Sequence, residues 1–140
     1  MATELIAPYN SVAVTRAGVT PVLPAYDGEP IYLYLDYGNL GTAVVYTVPA
    51  GHVLYLFNWT SRQVSTAAAV GSAYAHIRNA AAAQRFNFGH MDTNIAYRSQ
   101  FVVGCPAMPL TLPEGWDIAI SVGAANCYCN FSGYGILSVI

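Results

Sequence analysis

Along most of the chain apolar and polar residues alternate singly, the period of a strand with one face against a core. The cleanest run is Trp116–Val122. There Trp116, Ile118, Ile120 and Val122 predict a core face, and Asp117, Ala119 and Ser121 a solvent face. Similar runs are rich in β-branched and aromatic residues and are separated by Gly, Pro or Asn. They predict strands at Ser11–Thr15, Ile31–Tyr37, Ala43–Val48, His52–Thr60, Ala73–Arg78 and Arg85–Phe88. Further strands are predicted at Tyr97–Val103, Leu110–Leu112, Trp116–Val122, Cys127–Phe131 and Ile136–Ile140. The alanine-rich stretch Ala67–Gln84 is the one helical candidate. Gly71 and Asn79 interrupt it, and Tyr74, His76 and Arg78 alternate with Ala75 and Ile77, so strand and loop are expected there.

Roughly eight to ten short strands without a convincing helix predict an all-β fold, a jelly-roll-like antiparallel β-sandwich. Residues 1–42 contain Pro8, Pro21, Pro24 and Pro30, which favour extended chain, and are expected to form an N-terminal arm with the first strands. Residues 43–140 are expected to form the sandwich domain.

One short pattern occurs twice. Tyr46-Thr47-Val48-Pro49-Ala50-Gly51-His52 is followed 64 residues later by Leu110-Thr111-Leu112-Pro113-Glu114-Gly115-Trp116, each copy leading into an alternating strand. Pro with Gly two residues on suits a tight turn, so each copy predicts strand, turn, strand. Either the copies occupy equivalent places in two halves of a double Greek key, or the likeness is chance. The even offset preserves strand parity, which puts His52, Leu54 and Leu56 on the core side. Val53, Tyr55, Phe57 and Trp59 then fall on the face that is polar in the second copy. Two readings stay open for this face: it is an interface with another subunit, or the strand is central and covered on both sides by its own chain. Burying such groups is worth roughly 1.5–3 kcal/mol each, and aromatic residues are common at interface centres. In Ile31–Tyr37, Ile31, Leu33 and Leu35 share one face and Tyr32, Tyr34 and Asp36 the other. Such a strand is suited to pairing with a neighbour's sheet, which adds Tyr32 and Tyr34 to the candidate interface.

Composition sharpens the interface reading. Residues of the AVILMFWYC set make up 55% of the 140, charged residues 9%, and all five basic residues are Arg. A dispersed monomer needs a charged surface free of large apolar patches, and twelve charges, five basic and seven acidic, cannot cover one. Other subunits are therefore expected to cover part of it. No run reaches the ~18 unbroken apolar residues of a spanning helix, so no membrane partner is expected. The net charge of −2 with scattered Arg argues against nucleic acid. Met1-Ala2-Thr3-Glu4 shows no basic region ahead of an apolar one, so no signal peptide is expected.

Candidate chemistry is thin. His52, His76 and His90 have no metal-ligand spacing, and Cys127-x-Cys129 is closer than the usual zinc clip. Cys105, Cys127 and Cys129 are expected as small buried hydrophobes, with a metal site or a catalytic Cys–His pair as the lesser alternatives. The acidic residues are dispersed, and no nucleophile elbow, phosphate loop or dinucleotide fingerprint is present. No catalytic residue, metal or cofactor is therefore expected. The sequons Asn58-Trp59-Thr60 and Asn130-Phe131-Ser132 lie in predicted strands and are expected to carry no glycan. Eleven tyrosines suit either protein contact or sugar stacking.

The runs Val48-Pro-Ala-Gly-His-Val-Leu-Tyr-Leu56, Leu110-Thr-Leu-Pro-Glu-Gly-Trp-Asp-Ile-Ala-Ile120 and Gly133-Tyr-Gly-Ile-Leu-Ser-Val-Ile140 resemble small β-sandwich structural proteins of tailed bacteriophages. The resemblance covers about residues 43–140, is one of style, and rests on no diagnostic motif. It implies cytoplasmic synthesis, assembly into a virion and no catalysis. The expected function is thus a capsid decoration or auxiliary subunit. Its expected partners are copies of itself, in cyclic homo-oligomers such as trimers, and other virion proteins. A carbohydrate- or receptor-binding module and an extracellular filament subunit are the alternatives.

Overall fold

The computed structural model describes residues 26–140, so the expected strand Ser11–Thr15 lies outside the described residues. Among these, nine strands form two antiparallel sheets with no helix: β1 (Glu29–Tyr37), β2 (Gly41–Thr47), β3 (His52–Ser65), β4 (Ser72–Arg78), β5 (Gln84–Asp92), β6 (Arg98–Gly104), β7 (Leu110–Leu112), β8 (Asp117–Val122) and β9 (Cys127–Val139). One sheet runs β1-β9-β3-β6, with the short β7 beside the other end of β3, and the second runs β2-β8-β4-β5. The pairings are nested: β1 with β9, β2 with β8, β3 with β6 and β7, and β4 with β5. The chain is in effect one long hairpin, and β9·β3 and β8·β4 are the contacts made when it rolls up.

The repeated pattern forms two equivalent corners. Trp116 N–H donates to Pro113 C=O and His52 N–H to Pro49 C=O, both at 3.2 Å. Gly51 and Gly115 take φ of +73° and +75°, the left-handed value that the third position of such a turn requires. Proline opens each turn rather than occupying its second position. The corners also touch: Val48 N–H donates to Trp116 C=O and Gly115 N–H to Val48 C=O, each at 2.9 Å. Gly51 N–H meets the Glu114 carboxylate at 2.6 Å.

Between the sheets, Leu54, Leu56 and Phe131 face Ala75, Ile118, Ile120 and Phe88. The Phe88 and Phe131 rings are 4.7 Å apart. Toward one end the interior turns polar, with Ser61, Gln63 and Ser65 of β3 fully buried; the Gln63 amide N–H₂ reaches Ser61 Oγ. A Cβ at Gly89 would lie 3.0 Å from the Gln63 amide, so glycine makes room for it.

Four expectations are corrected. The β3–β9 register shifts between Leu56 and Asn58, a bulge that inserts Phe57 and reverses the parity beyond it. Trp59 therefore points inward, 7% exposed, against Phe86 and Phe88. Cys127–Phe131 and Ile136–Ile140 are one strand, because Gly133 and Gly135 lie in β9, where Leu56, Leu54 and the Tyr55 carbonyl press too close for a side chain. β1 and the start of β2 pair with β9 and β8 of the same chain, so the sandwich begins at Glu29 rather than residue 43. Finally, Ala119 and Ser121 are buried although they face outward, since these short groups lie beside His76 and Tyr74 in the adjacent strand.

Candidate functional site

The outer face of the five-stranded sheet gathers Tyr26, Tyr32, Tyr34, Tyr55, Phe57 and Tyr134. Its geometry follows from register. Tyr32 of β1 pairs with Tyr134 of β9, which pairs with Asn58 of β3; Tyr34 pairs with Ser132, which pairs with Thr60. Two rows of three outward side chains thus lie side by side across three strands. They border an open groove of about 320 Å³. Tyr32 and Tyr34 stand out at 82% and 68% exposure, and the Tyr32 and Tyr134 rings are 5.1 Å apart at 44°. Thr60 Oγ1 and Ser132 Oγ share a hydrogen bond of 2.6 Å.

Next to the groove the chain covers its own sheet. Residues 26–28 cross β9, and Ser138 Oγ donates to the Asp27 carbonyl. The approach is so close that a Cβ at Gly28 would lie 2.8 Å from Ser138 Oγ, which explains the glycine. Tyr26 then sets its ring edge-on against Tyr55 and Phe57, at 4.7 and 5.1 Å.

The six expected interface residues therefore separate. Tyr32 and Tyr34 are exposed, Tyr55 and Phe57 are half-buried under Tyr26, Val53 is buried beside Ser138, and Trp59 is on the opposite face, in the core. Sequence reasoning missed Tyr134, Asn58, Thr60 and Ser132 as parts of one surface. The two sequons held a signal: in each, an apolar residue stands between two polar ones, and in a strand that places the polar pair together on one face. Across β3 on the same face, Val103 and Phe101 of β6 stand opposite Thr60 and Arg62, both 62% exposed.

The outer face of the four-stranded sheet is more polar. His76 Nε2 lies 3.1 Å from Ser121 Oγ, which is 2.8 Å from Thr42 Oγ1. This has the look of a base and a hydroxyl nucleophile, but His76 Nδ1 has no hydrogen-bond partner, so no acid orients the ring. Burial, then the neighbouring Arg78, lowers the His76 pKa, while Asp117 works the other way. Arg78 and Asp117 form a two-pronged ion pair, with Nε and Nη2 at 2.8 and 2.7 Å from the carboxylate. Tyr74 stacks on His90 at 5.3 Å.

Cys127 and Cys129 are buried free thiols, whereas Cys105 is exposed, which corrects its expected burial. Burial pushes the Cys129 thiol up, against the opposing effect of hydrogen bonds from Gln63 and Ser61, which keeps it protonated and unreactive near neutrality. Among the described residues no three His, Cys, Asp or Glu side chains gather as a metal would need, and no helix is long and apolar enough to cross a membrane. Comparison with family models, curated proteins and solved structures finds no match for this chain.

Proposed function

We propose that the sandwich is a jelly roll and that the chain is a non-catalytic structural subunit of a virion, a capsid decoration or auxiliary protein made in the host cytoplasm. It joins copies of itself, and neighbouring virion proteins, through apolar contact. The nested pairing of β1 to β9 supports the first part, since rolling a long antiparallel hairpin gives this architecture, which capsid and lectin domains share. The observation that carries the second is the β6 margin. Phe101 and Val103 stand exposed there, and Ile95 and Tyr97 are exposed in the adjoining β5–β6 connection. Large apolar groups clustered on the surface of so weakly charged a chain favour association.

Light scattering on the purified chain across a hundredfold concentration range tests this. A closed oligomer is expected, and Phe101→Asp with Val103→Asp should reduce it to single chains with the β-sheet circular dichroism intact. A particle of 14.9 kDa at every concentration would overturn the proposal. Electron microscopy separates closed rings from the open contacts of a filament.

A further inference from the structure

We propose that the groove bordered by Tyr32, Tyr34 and Tyr134 is a binding site for a neutral oligosaccharide. The site adjoins the β6 margin, where Val103 lies opposite Thr60, but shares no lining residue with it, so the two readings fail on different variants. Its parts match the two sides of a sugar ring. A pyranose has a face of C–H groups, which packs on an aromatic ring, and a rim of hydroxyls, which needs donors and acceptors. Tyr32 and Tyr34 are two residues apart on one strand, so their bases are about 7 Å apart and their exposed rings form a double platform. Asn58, Thr60 and Ser132 lie on the two strands beside them.

Those three residues supply the complementary polar groups. The Asn58 amide offers both donors and an acceptor. The Thr60–Ser132 hydrogen bond uses one hydroxyl proton, which leaves the other proton and several lone pairs for a ligand. The volume of about 320 Å³ falls within the range of small-ligand sites.

Two features select this occupant over others. No lining residue is charged, so an ionic ligand would shed hydration with no counter-charge to meet it. A second copy of the chain docking by apolar contact would bury the Asn58 amide and the remaining hydroxyl proton of the Thr60–Ser132 pair without partners, which disfavours a dry subunit contact here. A ring of hydroxyls satisfies the same groups while still covering the tyrosines.

The test applies the intact chain to an array of neutral, sialylated and sulfated glycans over a dilution series. Wild-type chain should bind members of the neutral set. Tyr32→Ala and Tyr34→Ala should each raise the half-saturating concentration by about tenfold, equivalent to about 1.4 kcal/mol, and Ser132→Val by a similar factor. Val44→Ala, exposed on the other sheet and outside both the groove and the β6 margin, should leave the signal unchanged. Both tyrosines are exposed, so their variants should keep the wild-type circular dichroism. Silence across the neutral set would overturn the proposal, as would binding confined to the sialylated or sulfated glycans. Full binding by the Tyr32→Ala, Tyr34→Ala double variant would also refute it. So would a loss of oligomer mass in that variant without any change in glycan signal, which would make the face a contact between copies.

Discussion

Trp59 and Gly104 are opposed across β3 and β6, and the indole occupies the space where a side chain at 104 would stand. A methyl group built on Gly104 would fall within the ring system, with Nε1 only 2.5 Å away. Trp59 itself is buried against Phe88 at 5.1 Å and Phe86 at 5.8 Å. Trp59→Ala should cost about 3–5 kcal/mol, as for other large aromatic groups removed from a core. Gly104→Ala should cost about 1–3 kcal/mol through overpacking. Independent effects would sum to about 4–8 kcal/mol, but the double variant should lose no more than Trp59→Ala alone, because the new methyl enters vacated space. The coupling is therefore about 1–3 kcal/mol. Urea unfolding followed by far-ultraviolet circular dichroism gives all four corners of the cycle, with Trp59→Phe as the milder variant if alanine abolishes folding. Additivity within about 0.5 kcal/mol would refute the inward turn of Trp59, and with it the bulge at Phe57.

The twin corners provide a matched pair. Gly51→Ala should lose about 0.5–1 kcal/mol: left-handed strain of about 1–2 kcal/mol, partly offset by a stiffer unfolded chain. Gly115→Ala should lose more, because its Cβ would also lie 3.3 Å from Ala80 Cβ whereas Gly51 has open space. A Gly51→Ala variant as stable as wild type in urea would refute the shared backbone conformation. For His76, burial and Arg78 lower the pKa below the usual value near 6.5. The folded state then binds fewer protons than the unfolded one in acid. Its contribution to stability is intact above about pH 6.5 and is lost as pH falls from there toward the depressed folded value. The urea midpoint of the wild type should fall over that window relative to His76→Gln, and a constant difference between the two from pH 8 to 5 would refute this.

How much was legible depended on how regular each strand is. β8 follows strict alternation, and Ile118, Ile120 and Val122 are in the core as their spacing implies. β3 reads as regular too, but one inserted residue among five successive apolar or aromatic ones leaves no trace in the pattern, so the orientation of Trp59 was hidden. Gly133 and Gly135 look like a break because glycine usually marks one. In β9 they instead mark where neighbouring groups leave no volume for a side chain. The groove was half visible: Tyr32 and Tyr34 follow from alternation in β1. Their neighbours Asn58 and Thr60 lie about 26 residues away along the chain and Tyr134 and Ser132 about 100, and only strand register brings them alongside. The covering of Tyr55 and Phe57 by Tyr26 depends on a tertiary crossing that no local pattern encodes.

The central position of β9 has a consequence for biogenesis. It is hydrogen-bonded to β1 on one side and to β3 along nearly its whole length on the other, yet the ribosome makes it after every other strand of the sandwich. Until it emerges, β1 and β3 are held apart with open edges, in a nascent chain already rich in aromatic residues. Closure of the sheet therefore waits for the last of its strands to be made and is dominated by long-range pairing, a topology that folds slowly and invites misassociation. Low temperature and slow synthesis should raise the soluble yield, and cutting the chain before Cys127 should leave a product that cannot fold.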